Sequence, residues 1–306
     1  MSPLAGVPSL AAVKEAAEHA AEGGAVNLDE LIMHHLADGH EIDLPFFLGT
    51  VQLPTGWNVN LGPLGVVDFA PTKHVVFMLI AAALCLLTFI PLARKARRLE
   101  EGKAPAGLGG GMEAMILYFR DEIVRKNIGH GADPYVPYIL TLFFFILFMN
   151  LLGLVPWGGS ATGNVSVTIA LALCTLFLVE ISGMQALGFK GYLHTVFFVP
   201  DGMHPIAAAP ITLLLAPVEF VGKLTKPFAL TIRLFANMMA GHVLIFALGG
   251  LVVTMGTLTA ATIAGGIGAT ALATFVMILE VVVAFLQAGI FALLTSVFVG
   301  LIRHAH

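Results

Sequence analysis

The chain has 306 residues, 58% of them hydrophobic and 11% charged, with a net charge of −4. Several apolar runs reach the roughly 18 residues that cross a hydrocarbon core of about 30 Å, which excludes a soluble globular domain and makes this an all-α integral membrane protein. No basic patch interleaved with aromatics is present, so nucleic acid is excluded as a partner. Cys85 and Cys174 both fall in apolar runs, far apart in sequence, and are read as packing residues rather than a disulfide or metal pair.

Residues 1–73 form a polar segment in which Glu15, Glu18, Glu22, Asp29, Glu30, Asp38, Glu41 and Asp43 outweigh Lys14 and Lys73. No apolar stretch follows a basic start, so a cleaved signal peptide is not expected. Asn27 or Asp29 is a candidate cap for a short helix through LDELIMHHLADG. His34, His35 and His40 match no zinc-ligand spacing and are read as solvated surface. Residues 74–306 form the membrane domain.

The first span is about Val75 to Leu92. Arg94, Lys95, Arg97, Arg98 and Lys103 follow it at once, placing that loop in the cytoplasm and the N-terminal segment outside. In MEAMILYFRDEIVRKN, Met112, Met115, Ile116, Phe119 and Ile123 repeat at helical spacing while Glu113, Arg120, Asp121, Arg125 and Lys126 take other faces. That pattern predicts an amphipathic helix on the cytoplasmic membrane surface. From Tyr135 to Val179 there is no ionisable Asp, Glu, Lys, Arg or His, and only the turn-rich PWGGSATGN interrupts the run. Two spans, about 135–155 and 165–187, account for it, with Glu180 toward the inner end of the second. Glu180 reads either as an interfacial carboxylate or as a proton-path residue.

The segment from Gly191 to Pro210, with Pro200, Pro205 and Pro210, reads as a loop. After it come two long apolar helices, about 211–251 and 255–302. Each would reach about 60 Å, roughly twice the hydrocarbon thickness, so each must be strongly tilted or broken, and Pro217 and Pro227 offer kink points. On the first, Glu219, Lys226, Arg233 and Asn237 fall within about 40° of one another and make one polar stripe. Arg233 cannot be neutralised, and at mid-membrane its charge costs from about 3 kcal/mol to about 10 or more. His242 lies about 13 Å farther along, on roughly the opposite face. On the second, Glu280 is the ionisable residue within the span, and Gln287 lies two turns on along the same face. Bland readings exist for several of these: Glu219 and Lys226 snorkelling to an interface, Gln287 bonding a neighbouring helix, His242 packing. Arg233 and Glu280 resist such readings best.

The run RLFANMMAGH at 233–242, followed by E-x6-Q in LEVVVAFLQAGIFALLTSVFVGLI, resembles subunit a of the F-type ATP synthase membrane sector. The resemblance extends from the first span to the C-terminus and is strongest in the two long helices; the first 73 residues carry no such match. It implies five membrane-crossing helices plus the surface helix, with the last two spans forming a long tilted hairpin against a rotating ring of proteolipid c subunits. It also implies peripheral-stalk b subunits and the remaining synthase subunits as partners, protons as the transported species, and a multi-pass place in a bacterial inner membrane with the C-terminus cytoplasmic. Arg233 matches the family's essential arginine, Asn237 and Gln287 the polar residues flanking it, and Glu219 an acidic position on the cytoplasmic side. His242 and Glu280 match the outer half-channel pair with imidazole and carboxylate exchanged. Lys226 and Glu180 are further candidates. The resemblance implies no cofactor, no metal and no catalytic residue, the nucleotide chemistry belonging to partners; the chain has no G-x-x-x-x-G-K-[ST] phosphate loop. A self-contained secondary transporter or ion channel with an intramembrane Arg/Glu pathway is the alternative, although no inverted repeat is visible. A haem or metalloenzyme would want paired histidines at mid-helix depth, and His242 is alone there.

Overall fold

With no water to bond them, backbone N–H and C=O groups in hydrocarbon must pair within their own segment, and long apolar runs therefore fold as helices. The computed structural model describes residues 39–43, 50–56, 58–60, 66–68, 70–98, 107–155, 158–196, 205–254 and 260–304. Its helices in chain order are α1 (Lys73–Ala96), α2 (Leu108–Tyr118), α3 (Val136–Gly153), α4 (Val165–Val196), α5 (Pro205–Thr254) and α6 (Ala260–Arg303). All but α2 are long and apolar enough to cross a membrane, which gives the five spans of an all-α membrane protein. The helix expected after Asn27 or Asp29, with His34 and His35, lies outside the described residues.

Ahead of α1 stand two small antiparallel hairpins that the sequence reading did not anticipate. Strand β1 (Glu41–Asp43) pairs with β2 (Thr50–Gln52), placing Ile42 opposite Val51, and β3 (Asn58–Asn60) pairs with β4 (Val66–Asp68). Three-residue strands are too short for alternation to show against a polar background. The Lys73 amide donates to the Gly39 carbonyl at 2.9 Å, tying this segment to the start of α1.

The surface helix departs from simple periodicity. After α2 the chain passes through a π-helical stretch, Phe119–Arg125, before a last α-turn, Lys126–Ile128. One extra residue per turn shifts the inward face, so Phe119, Val124 and Ile128 are buried and Ile123, expected on that face, is only half-buried. The Ile123 carbonyl, which accepts from the Lys126 backbone amide, also accepts from the Asn127 side-chain amide at 2.6 Å and from the Ser296 hydroxyl at 3.5 Å. On the outer face Arg120 and Arg125 bind Asp121, and the hydrogen bond from the Arg120 guanidinium holds the Asp121 carboxyl below the usual carboxylate range.

Gly188, at φ 69° and ψ 165°, breaks α4 eight residues before its end. Residues 191–196 and 205–210, read as loop, are helical on either side of the undescribed stretch. Pro205 opens α5, where a proline is pre-organised for a first helical position. Helix α5 then runs unbroken through Pro210, Pro217 and Pro227.

Two compact units divide the described residues: the first drawn from Met1–Ala83, Phe148–Asn164 and Ala236–Ala284, the second from Leu84–Leu147, Val165–Phe235 and Phe285–His306. In the second, Phe143 is fully buried at the centre of a ring cluster, 4.2 Å from Phe119, 4.9 Å from Phe144 and 5.4 Å from Phe285 between centroids. The surface helix is thereby anchored to α3 and α6. Gly300 closes the same contact, since a Cβ there would overlap the Asn127 carbonyl oxygen. Gly300→Val is expected to destabilise the protein by about 1–3 kcal/mol, the usual range for overpacking a rigid contact. A thermal midpoint in detergent equal to the parent's would contradict this account.

Candidate functional site

Helix α5 carries most of the candidate residues, and its burial pattern decides what each meets. Pro227, Leu230, Thr231, Leu234 and Met238 recur at three- and four-residue intervals and are buried. The stripe of Glu219, Lys226, Arg233 and Asn237 lies to one side of that face. Glu219 and Arg233 are exposed, and Lys226 and Asn237 are half-buried.

In the first unit the structure brings His242 and Glu280 together. Gly153 ends α3, so its carbonyl has no intrahelical partner, and His242 Nε2 meets it at 2.9 Å while Nδ1 meets the Met238 carbonyl at 2.8 Å. A neutral imidazole donates from one nitrogen only; a ring carrying both protons satisfies both carbonyls. The approach requires glycine at 153, because a Cβ there would lie 2.5 Å from Met238 Cε and 2.7 Å from Ser160 Cβ. Next to His242, Gly241 packs against Glu280, whose Oε1 occupies the place of a Cβ. Glu280 is 8% exposed, within electrostatic reach of His242, and its Oε2 has no hydrogen-bond partner among the described residues. A buried carboxyl oxygen in that state calls for a proton or a water.

Sequence reasoning missed a polar network beside this pair. Asn150 is 1% exposed, donates to the Ala284 carbonyl at 3.3 Å and accepts from Thr162 at 2.7 Å, and Thr162 lies 3.2 Å from Ser160. The one available signal was an asparagine inside an apolar run, FFFILFMNLLG.

The second unit holds Arg233, Gln287, Glu219, Lys226 and Glu180. Gln287 is half-buried on α6 beside the fully buried Ala288, and Arg233 has no ion-pair partner in this unit among the described residues. Lys226 Nζ sits 5.4 Å from the Phe298 ring centre. Glu180, Glu219 and Lys226 line one cavity of about 110 Å³, together with Thr195 and Lys223. Lys223 is the second residue sequence reading passed over: it is buried and its Nζ lies 3.6 Å from Glu180 Oε2. Its signal was present, a second lysine in VEFVGKLTKP. Tyr192, which donates to the same carboxylate, carried no sequence signal. No group of three metal-ligating side chains occurs among the described residues.

The family model for the ATP synthase A chain matches residues 75–300. The chain is 41% identical over 269 residues to "ATP synthase subunit a" of Chloroherpeton thalassium, covering 88% of this chain and 75% of that one. It is 39% identical over 287 residues to the protein of the same name from Pelodictyon phaeoclathratiforme, covering 94% and 79%. To that of Anaeromyxobacter dehalogenans it is 41% identical over 317 residues, covering 99% and 78%.

Replacing Asn150 with leucine removes both the acceptor for Thr162 and the donor to Ala284. The expected loss is about 1–3 kcal/mol, the cost of leaving buried polar groups unmet. An unchanged unfolding midpoint for Asn150→Leu in detergent would show that the network contributes nothing.

Proposed function

The chain belongs to the ATP synthase A chain family, and from that premise we propose how its residues carry protons. It is the non-catalytic stator subunit of the F-type ATP synthase membrane sector, a multi-pass membrane protein through which protons pass while other subunits do the nucleotide chemistry. The family places it in an assembly with other synthase subunits, which leaves no role for the self-contained transporter.

The mechanism rests on Arg233. It is exposed on an apolar span and has no ion-pair partner in its own unit among the described residues. A charge in that position meets a partner or an aqueous cavity, and a guanidinium cannot escape by losing its proton. The partner we assign is the carboxylate of a ring-forming c subunit. In lipid that carboxylate must be protonated, because burying the ion is prohibitive; opposite Arg233 its charged form is favoured and the proton leaves. Alternating the two environments couples proton flow to rotation, and Arg233 itself relays nothing.

The remaining candidates take places around it. Glu280 and His242 hand protons along the outer half-channel: a carboxyl oxygen open to a proton beside a ring whose two nitrogens face two acceptors. Asn237 and Gln287 flank the arginine, and Glu219, Lys226 and Glu180 line the inner side, where the cavity gives room for water. Peripheral-stalk b subunits complete the set of partners. The basic run Arg94, Lys95, Arg97 and Arg98 supports a cytoplasmic loop after α1, hence an N-terminal segment outside a bacterial inner membrane and a C-terminus within the cell.

Arg233→Ala is expected to lower coupled ATP synthesis in native membranes by roughly a hundredfold or more, since it removes the fixed charge on which release depends. Synthesis at the parent rate would sink the mechanism. Gly241→Ala pushes a methyl group against Glu280 and is expected to slow ATP-driven proton pumping roughly tenfold through misplacement of the carboxyl. Adding Glu280→Asp, one methylene shorter, should recover part of the rate; pumping unaffected by Gly241→Ala would show that the position of Glu280 does not matter.

A further inference from the structure

We propose that Glu180 is a proton-exchanging carboxylate on the inner side of the pathway and that Lys223 is its positioning residue, with Tyr192 as the third member of the cluster. The proposal deepens the proton-conducting reading above and rests on it.

The cluster is built by a break in the chain. Glu180 and Tyr192 are twelve residues apart, which on a straight helix separates them by about 18 Å along the axis. Yet the Tyr192 hydroxyl donates to Glu180 Oε2. Gly188, with φ 69°, stops α4 between them in a conformation that side-chain-bearing residues rarely adopt, so the following turn leads the phenol back to the carboxylate. Gly183 lies against both the ring and α6: a Cβ at that position would sit at ordinary contact distance, 3.4 Å, from Tyr192 Cδ2 but would overlap Ile302 Cγ1 at 2.5 Å.

Lys223 reaches the same point from α5. Its Nζ lies 3.6 Å from Glu180 Oε2, 3.4 Å from the Tyr192 hydroxyl and 3.4 Å from Thr195 Oγ1, and 4.4 Å from the Tyr192 ring centre. An ammonium has three donors, and three oxygens surround it. The lysine is 9% exposed, so its position is set by the protein rather than by bulk water. Stability does not account for such a pair, because apolar side chains of similar volume hold buried surfaces together at least as well. What the pair supplies is a carboxylate oriented at the wall of a cavity. That cavity, about 110 Å³ and also lined by Glu219 and Lys226, has room for several waters.

The step is a simple exchange. A hydronium in the cavity gives its proton to the Glu180 carboxylate, leaving water and a neutral carboxyl; passing the proton to another water restores the carboxylate. Lys223 and Tyr192 hold the carboxylate in place and take no part in the transfer.

The test uses native membranes containing the whole synthase. Passive proton permeability is read after the catalytic sector is stripped, and ATP-driven pumping before. Glu180→Gln is expected to lower both by roughly tenfold or more, in keeping with the loss of a positioned proton carrier. The double variant Glu180→Leu with Lys223→Met, which replaces the pair by apolar groups, is expected to assemble at the parent level and conduct as poorly. Parental conduction by either variant overturns the proposal, since the pair would then be structural only. If neither assembles, Leu176→Cys on the cavity wall decides, in a chain with Cys85 and Cys174 changed to alanine. Labelling by a membrane-impermeant thiol reagent from the cytoplasmic side supports a wetted pathway, and failure to label overturns it. Arg233→Ala in the same membranes separates the two levels: coupling retained there defeats the rotary reading, whereas coupling lost there with Glu180→Gln unaffected defeats this inference alone.

Discussion

Charge held in hydrocarbon is the constraint on which this molecule is organised. An ionised group moved from water into a bilayer loses most of its solvation, so the protein must supply a counter-charge, hydrogen bonds, water or a partner. The structure shows three such groups, each met in its own way. Lys223 is met by a carboxylate, a phenol and a hydroxyl. His242 is met by two backbone carbonyls, one of them free only because α3 ends at Gly153. Glu280 is met on one oxygen by the bare backbone of Gly241 and keeps the other without a partner among the described residues.

Glycine is what lets these solutions be built. Gly153 and Gly241 in the first unit, and Gly183 and Gly300 in the second, each stand where a methyl group would meet another helix's atoms at or inside van der Waals contact. In lipid there is little hydrophobic drive between helices, so close packing and the polar contacts it permits take over the work of association. The same close approach that stabilises the helices also brings Glu280 beside His242 and Tyr192 beside Glu180. Packing and the proposed proton path therefore share positions, and on that reading a small side chain at 241 answers to both.

The spans and the α5 stripe were legible because both follow from counting: apolar length against bilayer thickness, and residue spacing against 3.6 per turn. Arg233 announced itself by its charge alone. The features that stayed hidden depend on departures from that regular count. The π-helical stretch moved Val124 inward in place of Ile123, and nothing in the composition of FRDEIVR marks the extra residue. Gly188 looked like any other glycine near a span end until its positive φ turned Tyr192 back onto Glu180. The two hairpins rest on three-residue strands below the length at which alternation can be read. Lys223 was visible as a charge, but without the kink in α4 it had no partner to give it meaning.

The two basic residues Lys223 and Arg233 sit ten positions apart on α5, about 15 Å along one helix, and are treated in opposite ways. Lys223 is buried and is met in place by the Glu180 carboxylate, the Tyr192 phenol and the Thr195 hydroxyl. An arginine cannot give up its charge. An arginine left exposed, with no ion pair in its unit among the described residues, is a permanent positive charge on the surface of its span. On the proposed mechanism, pairing Arg233 internally would cancel the field that acts on the partner's carboxylate. On that mechanism the two cations divide the labour: the buried, paired one positions a carboxylate within this chain, and the exposed one acts on a carboxylate that a partner brings.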